Sequence, residues 1–342
     1  MQAAFFEGNR TLRVGTSVGV EPAPGQVQIQ VAYCGICGTD LHLFHGAMAH
    51  RLTFPHVMGH EMSGTILRTG DSAGEWQAGD RVTVRPLDPC GQCPACAAGH
   101  SHICHNLKFI GIDTPGALQG LWTVPAHTLH RLPDTLGMRE GAMVEPIAVA
   151  CHDVRRSGLR EGEFAAVIGG GPIGMLVALV AAAHGARVIV SEVNPFRLQL
   201  AHELGIEAVN PLEIDLPALV NQRTGGAGAD VVFEVSGTQA GADMMTKLPR
   251  TRGRIVVVAI YGEAPKVDLF RFFWRELQLS GARVYEPEDF EFAIELATAG
   301  RLPLDRLITD ELPLAGLEDA MHRMEAGGNC MKVLIRCTEQ TQ

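Results

Sequence analysis

Phe164-Ala165-Ala166-Val167-Ile168-Gly169-Gly170-Gly171-Pro172-Ile173-Gly174 is the stretch from which the fold of this chain is read. Its first five residues are apolar throughout, which suits a short strand buried on both faces. The glycines that follow fit the spacing G-x-G-x-x-G. Pro172 pre-sets the first turn of a helix, and the apolar run from Ile173 to His184 continues it. Strand, glycine turn and helix in that order form a dinucleotide-binding fingerprint. Gly169 makes the turn, Gly171 lets the backbone approach a pyrophosphate, and Gly174 lets helix and strand pack closely. The helix N-terminus at Pro172 and Ile173 turns its partial positive charge towards the phosphates.

The pattern repeats outward from there. Ala186 to Ser191 reads as a second strand, and Glu192 ends it. A carboxylate at that place accepts hydrogen bonds from ribose hydroxyls and repels a 2′-phosphate, which favours NAD over NADP. Arg197, in a helix expected from Pro195 to Leu204, either flanks the adenine or turns towards a phosphate. Asp230–Val235, Arg254–Ala259 and Leu277–Ser280 continue the series of apolar strands. Strands alternating with helices predict a doubly wound parallel sheet over residues 151–285. Residues 164–183 carry no charge, enough length to cross a bilayer. Gly169-Gly170-Gly171-Pro172 breaks the run, so the reading is a buried strand, turn and helix and not a membrane span.

Residues 1–150 have a different texture: short strands separated by glycine and proline. Gly25 to Val31 alternates polar and apolar residues and should bury one face; Met62–Arg68 and Arg81–Val84 look alike. This half reads as a distorted β-barrel. Residues 286–342 are expected to complete it, with helices at Pro287–Ala299 and Leu317–Ala326 and a closing strand at Met331–Ile335. Phe270, Phe272, Phe273 and Trp274 suit either the core or an apolar subunit contact. The net charge of −10 argues against a nucleic-acid partner. Met1 to Glu7 lacks the basic start and apolar core of a signal peptide. Nine cysteines, an odd number with four closely spaced, point to metal binding in a reducing, cytoplasmic compartment.

Two groups of ligand-type residues stand out. Cys90, Cys93, Cys96 and Cys104 follow a C-x2-C-x2-C-x7-C pattern, suited to a closed, structural zinc site. Disulfides or an iron–sulfur cluster are the alternatives for such a set. Elsewhere Cys37 offers a thiolate, His60 an imidazole, and Glu61 or Glu145 a carboxylate, as an open catalytic zinc site requires. Asp40 is placed to accept a hydrogen bond from a ligating histidine. Thr39 offers a hydroxyl to take a proton and His42 a path onward to solvent. Cys34 reads as packing.

These segments occur in the same order in the zinc-dependent medium-chain alcohol dehydrogenases, which the chain resembles over nearly its whole length. Glu145-Pro146-Ile147-Ala148-Val149 resembles the polyol branch of that family: the sorbitol, xylitol, idonate and butanediol dehydrogenases. Threonine dehydrogenases resemble it less around Glu145. The resemblance implies a GroES-like barrel for residues 1–150 with the tail, and a Rossmann domain for residues 151–285. It implies two zinc ions: a structural one on the four cysteines, and a catalytic one on Cys37, His60 and Glu61. Glu145 would hold the metal's water or replace a ligand, Thr39 would start a proton relay, and Asp40 would support His60. The implied reaction passes hydride from a secondary alcohol of a polyol or sugar-like substrate to NAD. Family members are dimers or tetramers, so a homo-oligomer is expected.

Overall fold

The computed structural model describes residues 1–338. The chain forms two compact units: Met1–Glu145 with the residues from Glu286 onward, and Pro146–Tyr285.

In the second unit, Phe164–Ile168 is the first of six strands that pair in parallel. Across the sheet they run Glu207–Val209, Arg187–Ser191, Phe164–Ile168, Ala229–Glu234, Pro249–Val257 and Gln278–Gly281. Numbered within the unit, that order is 3-2-1-4-5-6, the doubly wound arrangement. Its direction reverses between Phe164–Ile168 and Ala229–Glu234, and a ligand crevice belongs at the carboxyl ends of those two strands. Phe164, Ile168, Ile189, Val232 and Ile255 form the core together with Leu216 and Val220 from a covering helix. Each large side chain buried there contributes about 1.5–3 kcal/mol. The helix Pro172–Ala183 buries every residue from Gly174 to Ala181, as an all-round apolar helix must.

In the first unit, Gln26–Gly35 is the central strand. It pairs antiparallel with Glu61–Thr69 along its length, with Leu121–Pro125 at its start and with Lys332–Arg336 at its end. Lys332–Arg336 pairs in parallel with Ile308–Pro313, and Glu61–Thr69 leads on to Arg81–Val84 and Leu129–Arg131. The expected alternation holds at Val27, Ile29 and Val31, all fully buried. Gln28 breaks it: it is buried too, its amide donating to the Val20 carbonyl at 2.8 Å. The terminal helices occupy Pro287–Thr298 and Leu317–Glu325.

Several helices were not anticipated, among them Gly38–Phe44, Val144–Ser157, Leu216–Arg223, Gln239–Met245 and Leu269–Arg275. The last settles the aromatic group. Phe272 packs against the core, while Phe270, Phe273 and Trp274 are exposed, with Phe270 and Trp274 stacked at 5.9 Å.

Candidate metal and dinucleotide sites

Cys37 leaves the central strand and caps the helix Gly38–Phe44 in an extended conformation. His60 immediately precedes the neighbouring strand and Glu61 opens it; its register sets Glu61 opposite Gly35 and Met62 opposite Cys34. The ladder therefore brings a turn that carries the thiol beside a strand end that carries imidazole and carboxylate. Ligand atoms of Cys37, His60 and Glu61 all lie within 4.8 Å of one another. Glycine at position 35 leaves room for the Glu61 carboxylate, which a Cβ there would displace.

The trio is rich in negative charge. Burial works against a charged His60, yet Asp40, Cys37 and Glu145 together draw its imidazole well above the ordinary range. Asp40 is fully buried, which raises its carboxyl. Its oxygens accept the backbone N–H groups of Cys37 at 2.9 Å and Gly59 at 3.2 Å, tying both ligand-bearing segments together. A thiol, an imidazole and carboxylates drawn together away from water form a donor set that a divalent cation satisfies.

The four cysteines converge as well. Cys93 Sγ lies 3.5 Å from Cys96 Sγ and 3.7 Å from Cys104 Sγ, and Cys104 Sγ lies 3.5 Å from Cys90 Sγ. Zinc–sulfur bonds of about 2.3 Å in a tetrahedron set sulfurs about 3.8 Å apart. Disulfide sulfurs would be about 2 Å apart, so this spacing fits one central ion instead. Backbone N–H groups of Cys90 and Asn106 donate to Cys104 Sγ at 3.3 Å each, and that of His105 to Cys93 Sγ at 3.4 Å. Backbone donors, with help from Cys104, lower the Cys90 thiol to about 6.

In the second unit Gly169 sits at φ +100°, a conformation only glycine adopts freely. A Cβ on Gly174 would overlap the Gly169 carbonyl, whereas one on Gly171 would meet only Arg197 Nη1, at 3.6 Å. The tight glycine packs helix on strand, and the open one leaves room above the helix start. The Glu192 carboxylate accepts N–H groups from Gly170 (2.8 Å), Val193 (2.7 Å) and Asn194 (2.8 Å), with Arg197 Nη1 3.8 Å away. Four acceptor sites are available to a carboxylate, so one remains on the oxygen that Gly170 approaches. Arg197 Nε is buried without a hydrogen-bond partner, a donor that suits a ligand at this place.

Residues 23–134 match the model of the alcohol dehydrogenase GroES-like domain, and residues 172–299 that of the zinc-binding dehydrogenases. The 2-dehydro-3-deoxy-L-galactonate 5-dehydrogenase of Pseudoalteromonas atlantica is 51% identical over 340 residues, covering 99% of this chain and 100% of that protein. The chain belongs to the zinc-dependent medium-chain alcohol dehydrogenases. The 2R,3R-butanediol dehydrogenase of Bacillus subtilis superposes with a TM-score of 0.90 at 31% identity, covering 98% of this chain and 99% of that one. A zinc-binding dehydrogenase of Sinorhizobium meliloti, bound to NADP, superposes with a TM-score of 0.91 at 31% identity, with 98% of each chain covered. This dehydrogenase is thus a polyol-type oxidoreductase acting on CH–OH donors, with zinc and a nicotinamide cofactor. No helix among its described residues is long and apolar enough to cross a membrane.

The remaining expected residues fall around the dehydrogenase's trio. Thr39 is half-buried on the first turn of Gly38–Phe44, and His42 is exposed on its last turn. Asp40 Oδ1 stands 3.8 Å from His60 Nδ1, within ion-pair distance but beyond hydrogen-bond reach, while each of its oxygens accepts one backbone N–H. Glu145 is buried at the start of the helix Val144–Ser157 and acts on His60 through its charge, without joining the close trio. Cys34 is fully buried, and burial pushes its thiol well up.

Sequence reasoning missed Lys332. Its buried ammonium donates to both Glu61 oxygens, at 2.8 and 2.6 Å, and to the Ile36 carbonyl at 3.2 Å. Burial alone would lower Lys332, but Glu61, then Cys37 and Glu145, hold it above the ordinary lysine range. The one available signal was a lone lysine in the otherwise apolar strand Met331–Ile335.

Proposed function

We propose that this dehydrogenase oxidises a secondary hydroxyl of a sugar acid, using NAD, with one catalytic and one structural zinc per chain. The full-length, 51% identity to an enzyme named for position 5 of 2-dehydro-3-deoxy-L-galactonate carries the substrate class. Cys37 and His60 would hold the catalytic zinc, with Glu61 or Glu145 as the carboxylate. Cys90, Cys93, Cys96 and Cys104 would hold the structural one. When bound, the catalytic zinc supplies Lewis-acid polarisation of the substrate hydroxyl, and the nicotinamide takes up the hydride.

The chain's own residues would handle the proton and orient the partners. Thr39 takes the hydroxyl proton, and His42 releases it to solvent from the same helix. Asp40 fixes the backbone on both sides of the trio. Lys332 balances Glu61 and limits how far that carboxylate commits to the metal. Gly169, Gly171 and Gly174, with the helix start at Pro172 and Ile173, receive the pyrophosphate. The last acceptor site of Glu192 takes a ribose hydroxyl, and Arg197 lies against the adenosine. The carboxylate of Glu192 is the reason to favour NAD over NADP. A homo-oligomer in the cytoplasm completes the reading; four closely spaced cysteines that fit a metal site suit a reducing compartment.

The test is NAD reduction across aldonates, 3-deoxy-2-keto-aldonates, neutral polyols and diols. Sugar acids should exceed sorbitol and 2,3-butanediol in kcat/KM by about tenfold or more, since a site built for polar groups rejects substrates that lack them. Equal or faster turnover of the neutral substrates would overturn the substrate class.

A further inference from the structure

A histidine that ligates a metal has its ring orientation fixed through its second nitrogen in most sites. Here His60 Nδ1 is buried with no hydrogen-bond partner, and Asp40 stands off at 3.8 Å. Packing against the ring is the contact left to help orient it.

Phe109 is in place to do so. Its ring meets the His60 imidazole edge-on, with centroids 5.2 Å apart and planes at 84°. The turn after Phe109 lies against the same ligand: a Cβ on Gly111 would come within 2.7 Å of the Gly59 carbonyl and 3.3 Å of His60 Cβ. This turn is closed by Asp113, whose N–H donates to the Phe109 carbonyl at 2.8 Å and whose Oδ2 accepts the Phe109 N–H at 2.7 Å.

Asp113 is gripped in turn by Arg51. Nε donates to Oδ1 at 2.9 Å and Nη2 to Oδ2 at 2.6 Å, a planar two-bond fork. Burial opposes ionisation of Asp113, yet Arg51 and the Phe109 N–H hold its carboxyl below the usual range. Arg51 ends the short helical turn Ala49–Arg51, on the stretch of chain that begins with Cys37. The fork therefore joins the segment that bears the thiol to the turn that walls in the imidazole.

We propose that Arg51 and Asp113 are a positioning pair for the Cys37–His60 metal site, holding Phe109 against His60 so that packing fixes the ring. The pair rests on the metal assignment made above, and neither residue belongs to the Cys37–His60–Glu61 donor set. A lysine at position 51 would keep the charge and lose the fork.

The experiment uses the metal-loaded enzyme, and measures zinc released to a chelator over time together with kcat and KM for the alcohol and for NAD. Arg51→Met and Asp113→Asn should each release the Cys37–His60 ion about tenfold faster, in the range found for outer partners of metal ligands. The four-cysteine ion should stay bound and so report that the variants are folded. The alcohol's kcat/KM should fall by about tenfold while KM for NAD stays within about twofold. Arg51→Lys should fall between Arg51→Met and the wild type, and keeps the test open should Arg51→Met not fold. Wild-type release rates and kcat/KM in Arg51→Met or in Arg51→Lys with Asp113→Asn would overturn the positioning role. If Cys37→Ser leaves two ions per chain, the metal assignment falls and the clamp with it, a result distinct from the first.

Discussion

Cys90, Cys93, Cys96 and Cys104 come from one loop, partly open to solvent, in which each cysteine is eight positions or fewer from the next. Cys37, His60 and Glu61 come from two strand ends, and their counter-charge, Lys332, from a third strand almost the whole chain away. The loop balances its thiolates with backbone N–H groups. The buried trio balances carboxylate with ammonium. Short loops close at small entropic cost and need little scaffold. A site assembled from distant strands exists only when the sheet is formed, and its geometry is held by everything around it. A local, four-thiol cluster leaves no coordination position open, whereas a trio leaves one for a reactant. On the proposed assignment, the difference separates a cluster that knits a loop from one arranged for chemistry.

Cys37→Ser tests that separation most severely. Loss of a direct ligand should reduce kcat/KM by about 10²–10⁴-fold, the equivalent of the several kcal/mol that a Lewis acid supplies. Metal per chain should fall from about two to about one, with the four-cysteine ion kept. Metal analysis beside the kinetics decides the matter. Loss of both ions, or of neither, would erase the contrast between the clusters.

That contrast also marks what could be read from sequence. The four-cysteine pattern and the glycine fingerprint are legible because their parts are neighbours in the chain and their spacing carries the geometry. Phe164–Ile168, Pro172–Ala183 and Arg187–Ser191 stand where apolar runs and Pro172 put them. Cys37, His60 and Glu61 were legible as ligand types, although their meeting depends on the ladder between Gly35 and Glu61. Lys332 was not, because an ion pair across the sheet has no local signature. Asp40 was legible as a partner of His60, but not its two bonds to the backbone of Cys37 and Gly59, which depend on how the two segments meet. Helices such as Leu269–Arg275 were missed because Phe270, Phe273 and Trp274 face outward, which erases the amphipathic period.

Lys332→Met should have the next largest effect, on stability more than on chemistry. It leaves Glu61, 1% exposed, as a buried carboxylate without its cation. Breaking such a pair from one side costs about 3–5 kcal/mol. The loss should be greatest in chelator-treated protein and smaller when the trio can offer Glu61 to a metal. Urea melts with and without chelator measure both. Equal losses in the two states would mean that Glu61 has no part in holding the ion, and would leave Glu145 as the site's carboxylate.

Cys34→Ala should do least, and it sharpens the comparison from within one short stretch. Cys34 and Cys37 are three positions apart on the same run of chain; Cys37 belongs to the trio and Cys34 does not. Cys34 faces Gly59, where a Cβ would approach its Sγ to 2.7 Å, and it is fully buried. Desolvation, then the charges of Cys337, Asp40 and Glu61, push its thiol well above the ordinary range, so it stays neutral. A neutral thiol packed in a sheet is neither ligand nor nucleophile. Replacing it with alanine removes one buried atom, at a cost of about 1 kcal/mol in a thermal or urea melt. Both ions should remain and kcat/KM should stay within about twofold. Loss of the catalytic ion in Cys34→Ala would show that its sulfur joins the donor set, and the division between packing and ligating thiols would have to be redrawn.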